Sequence, residues 1–290
     1  MKTVGETGED ALIACLCANL PSKGDLVVGL GDDCAVVGKG EELTLLKTDA
    51  VVAGVHFLAE EKAQRVGWKA VARVLSDFAA MGGEPREFLV TLALEPTVEV
   101  AWVEGLYEGM SACLAKFGGV IAGGETTSLP VGAPLMISVA GRGTVRKGNL
   151  VTRSEGQEGD GIYVTGRLGG SLAGKHLDFE PRLRESRWLV GNHTISAMID
   201  LSDGLAKDLP RLARMSALGF ELDHHSLPLN EGVDLAGGLG DGEDYELLFT
   251  SPDEIGKEWS QEFPDLELTR VGRLVARPGD DLTGGWEHFR

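Results

Sequence analysis

The sequence predicts two domains of mixed helices and strands, and three observations carry that reading. Its 290 residues suit about two domains at ~150 residues each, with a core in both. Residues 1 to 145 alternate strand-like and helix-like segments and close on the apolar run LMISVAGRGTV. The polar, glycine-rich stretch RKGNLVTRSEGQEGDG follows, and a second mixed region opens on GIYVTG, so the expected division is 1–145 and 146–290.

The elements follow in order. The opening MKTVGETGED is acidic and lacks the apolar core of a signal peptide. ALIACLCANL after it is about half a membrane span; Thr7 and Asp10 form a capping-box pattern ahead of it, which predicts a buried helix. Asp32 and Asp33 stand in VVGLGDDCAVV, between valine-rich runs. LTLLKTD reads as a strand that delivers Asp49 to a sheet edge. WKAVARVLSDFAAMGG reads as a helix with the apolar stripe Trp68, Val71, Leu75 and Phe78, and Asp77 flanks that stripe beside Val74 and Met81. VIAGG is a strand running into glycines before Glu125. In AMIDLSDGL, Asp200 and Asp203 bracket Ser202, and Ser202 and Asp203 are each candidates to cap the helix that follows.

Composition narrows the function classes. Hydrophobic residues make up 43% and charged residues 25%, as in an ordinary globular protein. Asp and Glu outnumber Lys and Arg by 45 to 27, a net charge of −18, which argues against nucleic-acid and anionic-membrane partners. The same balance leaves an anionic substrate unexplained unless metal ions intervene. Cys15, Cys17, Cys34 and Cys113 show no CxxC spacing and read as buried thiols in a reducing cytoplasm.

Residues 169–176, GGSLAGKH, carry most of a phosphate-binding P-loop after a strand-like run. The motif needs a Ser or Thr hydroxyl after the lysine for Mg²⁺. His176 stands there instead and is no ligand for a hard cation, so the match is chemically incomplete. The carboxylates are more informative. Asp33, Asp49, Asp77, Glu125 and the Asp200/Asp203 pair fall against apolar residues or glycines, where an unpaired charge is costly. A cluster of oxygen donors is what Mg²⁺ requires, and Mg²⁺ lets an acidic protein hold a phosphate chain. The pattern points to a metal-dependent phosphate site.

Seven stretches in chain order, GDDCAVV, TDAVVAGVHF, LSDFAAMGGEP, AGGETTS, IDLSDGL, GEDYELLF and GGWEHF, resemble the thiamine-monophosphate kinases of the AIR-synthase-related, PurM-like superfamily. The resemblance runs from about residue 6 to 289. It implies an α+β protein whose N-terminal domains pair into a dimeric β-barrel, each followed by a PurM-C-like α+β domain. It also implies a cytoplasmic homodimer transferring phosphate from ATP to thiamine monophosphate with several Mg²⁺ ions. Asp33, Thr48, Asp49, Asp77, Glu125, Asp200 and Asp203 match metal positions. Gly124, Glu125, Arg153 and Ser202 match ATP contacts, and His56, Glu243 and Trp286 match contacts to thiamine monophosphate. An aromatic ring at residue 286 suits a cationic thiazolium.

Three departures accompany the resemblance. Glu125 stands where the family has Asp, Lys47 where it often has a metal-binding Ser, and the stretch from Gly174 to Asp200 is short. Lys47 either replaces one metal charge with its ammonium or points away. The rival readings are another enzyme of the superfamily, selenophosphate-synthetase-like or AIR-synthetase-like, and a non-catalytic nucleotide-binding homologue.

Overall fold

The computed structural model describes residues 2–18, 20, 24–277, 280 and 282–287. Two short helices, α1 (Val4–Thr7) and α2 (Glu9–Cys17), precede the first sheet. The capping box belongs to α1, where Thr3 and Glu6 bond reciprocally. Thr7 is the last residue of α1 and Gly8 caps α2, while the Asp10 side chain lies outside the described residues, so the expected Thr7 cap is not formed. Nor is α2 the buried helix its composition suggests. Ile13 and Leu16 are 47% and 58% exposed, because the helix is apolar on nearly every side and no layer among the described residues covers it. Cys15 is exposed with it and Cys17 half-buried, whereas Cys34 and Cys113 are buried as expected.

The first sheet has six strands: β1 (Leu26–Val28), β2 (Ala35–Val37), β3 (Glu42–Val52), β4 (Glu84–Leu94), β5 (Val120–Ser128) and β6 (Met136–Arg146). They lie in the order β1-β2-β3-β6-β4-β5 and form an open sheet in the single chain. All neighbours are antiparallel except β4 and β5. That parallel pair needs a crossover, supplied by α4 (Val100–Phe117), while α3 (Ala63–Ala80) joins β3 to β4. The two helices approach closely: a Cβ on Gly67 would stand 1.9 Å from the Leu106 carbonyl, and one on Gly109 1.9 Å from that of Gln64. Asp49 does not end its strand at a sheet edge. The period-two pattern continues through Val51, so β3 runs on to Val52 between β2 and β6.

The second sheet is wholly antiparallel: β7 (Gly161–Thr165), β8 (Ala197–Asp200), β9 (Gly219–Leu222), β10 (Leu247–Ser251) and β11 (Leu268–Val275), ordered β8-β10-β7-β11-β9. Its helices are α5 (Lys175–Asp178), α6 (Leu183–Asn192), α7 (Leu205–Met215), α8 (Leu235–Gly240) and α9 (Gly256–Glu262). This is a mixed α+β protein. Its central helix is α3, which packs on β3 and β6 of one sheet and on β8, α5 and α6 of the other. Fourteen of its eighteen residues are buried, Lys69, Ser76 and Asp77 among them. Polar groups on this buried helix therefore face both sheets at once, and that placement builds the site.

Candidate active site

Three elements deliver one carboxylate each to a common point. Asp33 comes from the loop between β1 and β2, Asp77 from the last turn of α3, and Asp200 from the end of β8. Each is at most 5% exposed, and a ligand oxygen of each lies within 4.8 Å of the others. Every one has a counter-group. The Arg153 guanidinium holds Asp33, with Nε 3.3 Å from Oδ2. Ser76 donates its hydroxyl to Asp200 at 2.6 Å, and the Lys47 ammonium donates to Asp77 at 2.6 Å. Asp32 accepts the Arg153 backbone N–H at 3.2 Å.

Confinement shifts the acids. Burial, reinforced by Asp33, raises the Asp200 pKa to about 7. Burial, and then the Asp33 charge, raises Asp32 to about 6. Burial and the surrounding acids push Asp77 up; at Asp49 burial is outweighed by Lys47 and Arg73, which hold that carboxyl below its usual range. Lys47 Nζ lies 4.0 Å from Asp49 and Arg73 Nη2 3.9 Å.

Thr48 and Glu125 do not join this cluster within the chain. Strand alternation puts Lys47 and Asp49 on the α3 face of β3 and Thr48 on the other, where its hydroxyl sits 3.4 Å from that of Ser138. Glu125 is exposed on the edge strand β5, opposite Thr91 and on that same outer face. Gly124 beside it has a packing reason of its own, since a Cβ there would lie 1.9 Å from the Val90 carbonyl oxygen.

A cavity of about 120 Å³ adjoins the cluster, lined by His56, Arg73, Ser202, Asp203, Glu243 and Trp286 among others. Trp286 is 47% exposed, so it is not a terminal tryptophan packed into the core. His56 Nδ1 accepts the Val52 N–H at 3.1 Å. Glu243 adopts φ +65°, a left-handed conformation that a glutamate holds only when its surroundings impose it. Its carboxylate receives Lys69 at 2.6 Å and meets His176 at 2.8 Å. Burial alone would raise its pKa, and those two partners instead bring it down to about 2. Lys69 is itself fully buried, and burial lowers its pKa to about 8 against the pull of Glu243. Asp203 is occupied by Arg211 at 2.5 Å and Lys207 at 3.4 Å. Neither it nor Ser202 caps α7: the cap is Gly204, and the Asp203 N–H donates to Asp208.

The P-loop-like segment is satisfied from inside the protein. The Gly169 and Gly170 N–H groups donate to Asp244 and Asp241 at 3.0 and 2.8 Å. Lys175 pairs with the buried Glu246 at 2.9 Å. The anions in this glycine cradle are the carboxylates of DGEDYE, which take the Gly169 and Gly170 N–H groups and Lys175.

Sequence reading missed Lys69, Arg73, Ser76 and His176. The signal was present: Lys69, Arg73 and Asp77 recur at four-residue spacing, a polar stripe along a largely apolar helix. Arg73 Nε is buried without a hydrogen-bond partner among the described residues.

The scaffold is that of an AIR-synthase-related protein. Residues 31–145 match the family described as AIR synthase related protein, N-terminal domain. The chain is 36% identical to the thiamine-monophosphate kinase of Rhodopirellula baltica over 93% of its own length and 90% of that protein's. It is 35% identical to the Escherichia coli K12 enzyme over 97% of each. It superposes on the complex of AaThiL with AMPPCP and TMP with a TM-score of 0.87 at 30% identity, covering 99% of both chains. This chain belongs to the thiamine-monophosphate kinase family. Escherichia coli HypE, a hydrogenase maturation protein, shares the fold with a TM-score of 0.68 at 20% identity.

Proposed function

We propose that this chain transfers the γ-phosphoryl group of ATP to the phosphate of thiamine monophosphate, giving thiamine diphosphate and ADP with Mg²⁺ in the acidic cluster. The carrying observation is the convergence of Asp33, Asp77 and Asp200. Its donors are carboxylate oxygens, the ligands a hard cation takes, and three acids are buried there beside two side-chain cations, Arg153 and Lys47. Mg²⁺ held there would neutralise phosphate charge during transfer. Asp49 extends the cluster, and Asp203 faces the cavity.

The protein's own groups bind and orient. Arg153 exchanges Asp33 for the ATP phosphates. Gly124 and Ser202 approach the nucleotide by backbone and hydroxyl. Arg73, a buried cation on the cavity wall, suits the acceptor phosphate. Glu243 presents a negative charge toward a cationic thiazolium, the Trp286 ring offers a stacking face, and His56 lines the same cavity. The attacking oxygen is already ionised, so no general base is needed, and positioning with charge neutralisation carries the reaction.

A homodimer follows from the same reading. Thr48, Gly124 and Glu125 lie on the open sheet, and pairing of two such sheets into a barrel covers its outer face. The N-terminal unit, 1–145, then supplies metal, ATP and dimer contacts, and 146–290 completes the substrate cavity. Among the described residues no helix is long and apolar enough to cross a membrane, and a cytoplasmic setting agrees with the substrates.

The test is ADP release. It should require both Mg²⁺ and thiamine monophosphate, with thiamine a poor acceptor because it lacks the attacking oxygen. Equal turnover with thiamine refutes the mechanism. ATP binding without ADP from any acceptor identifies a non-catalytic homologue.

A further inference from the structure

Strand β3 carries Lys47 and Asp49 on a face whose other buried residues are apolar. Leu43, Leu45 and Val51 are buried against the helix layer, and alternation sets Lys47 among them. An ammonium in that position is costly unless it is paired. Here Nζ lies 2.6 Å from Asp77, one of the three converging acids, and 4.0 Å from Asp49. We infer that the Lys47 ammonium is a built-in cation of the acidic site and takes the place of one divalent ion, so that this chain binds fewer metals than it would without that charge.

The inference rests on the reading that the cluster holds metal, and it concerns how many ions it holds. Lys47 Nζ occupies Oδ1 of Asp77 at hydrogen-bond distance. An ion bound to the same oxygen at about 2.1 Å would stand within a few ångströms of the ammonium, and two cations that close repel strongly in a poorly screened interior. Unlike an ion, the ammonium is tethered to the central strand β3 and does not dissociate when metal is scarce. Arg153 stands differently, because it reaches Asp33 from a loop rather than from within the sheet.

Mn²⁺ is the probe, counted by electron paramagnetic resonance on the full chain without nucleotide or acceptor, so the outcome is independent of which phosphate acceptor the chain uses. Lys47→Met removes the charge at similar volume, and Lys47→Ser adds the hydroxyl that the family resemblance expects there. Both should bind about one more Mn²⁺ per chain than the parent, while Lys47→Arg keeps the parental number. In EDTA, Lys47→Met should melt below the parent, and Mn²⁺ should raise its melting temperature by more. Equal Mn²⁺ counts in the parent and Lys47→Met overturn the inference. An absence of Mn²⁺ binding in every variant overturns it together with the metal reading.

Discussion

Replacing Asp200 by asparagine should stabilise the metal-free protein and remove its response to Mg²⁺. Asp200 is 4% exposed at the end of β8. Burial first, and the Asp33 charge second, raise its pKa from 3.8 to about 7, against opposing pulls from Ser76, Lys47 and Arg153. A carboxyl whose pKa is raised by folding binds its proton more tightly in the folded state. Its contribution is therefore intact below about pH 4 and is lost as pH climbs through about 7. At about 1.36 kcal/mol per pKa unit, the cost of holding the charge at pH 8 has a ceiling of about 4 kcal/mol. Charge sharing within the cluster reduces this to about 1–3 kcal/mol. Asparagine keeps the shape and still accepts the Ser76 hydroxyl through its amide oxygen. At about 2–4 °C per kcal/mol for a chain of this size, melts in EDTA at about pH 8 should rise by roughly 2–10 °C. Near pH 5 the difference should shrink to well under half of its pH 8 value, because the penalty accrues from the unfolded pKa of 3.8 upward and only the first part of that range has been crossed. Mg²⁺ should raise the melting temperature of the parent alone. A variant that melts below the parent at both pH values, or that responds equally to Mg²⁺, would show that Asp200 is structural and the cluster misread.

Three further outcomes are expected. Lys175→Ala should leave kcat/KM within about threefold of the parent, because a transferring-phosphate contact is worth roughly 10²-fold and Lys175 contacts Glu246 instead. Arg182→Ala should cost about 3–5 kcal/mol of stability by stripping the two 2.7 Å bonds that hold buried Glu246; a well-folded Lys175→Ala that loses activity a hundredfold would restore the P-loop. Glu125→Gln should lower kcat by roughly 10²-fold with stability changed by under about 0.5 kcal/mol, as for an exposed side chain. Turnover within threefold of the parent removes Glu125 from the ligand set.

What the sequence made legible was chemistry tied to local pattern. Apolar runs meeting glycines marked Asp33 and Asp200, and helical spacing marked Asp77 at the edge of a stripe; all three reach one point. The missing hydroxyl after the lysine in GGSLAGKH was enough to doubt a P-loop, although nothing local could show that DGEDYE is the anion it cradles, because that contact joins residues about seventy positions apart. The same long range hid Lys69 and His176, which matter only because Glu243 lands between them. The helix α2 was misjudged for a different reason. An all-round apolar helix says that a cover is needed, not that this chain provides it.

The position of Glu125 depends on parity and spacing rather than residue type. Strand register aligns Asp49 with Val139, Val139 with Val90, and Val90 with Gly124, so three strand spacings separate the Asp49 row from β5. At about 4.8 Å each that is roughly 14 Å, beyond the reach of a glutamate side chain. Alternation adds a second barrier, since Asp49 faces α3 and Glu125 faces outward. Within one chain, therefore, Asp49 and Glu125 cannot share an ion. Thr48 lies on the same outer face as Glu125, so the two departures from the cluster have one geometric origin. If Glu125→Gln abolishes turnover without disturbing the fold, that outer face must close on a second chain to complete the site, and the loss should follow the dimer's concentration dependence. If it does not, the residues facing α3 are sufficient and the longer acid at 125 is a surface residue.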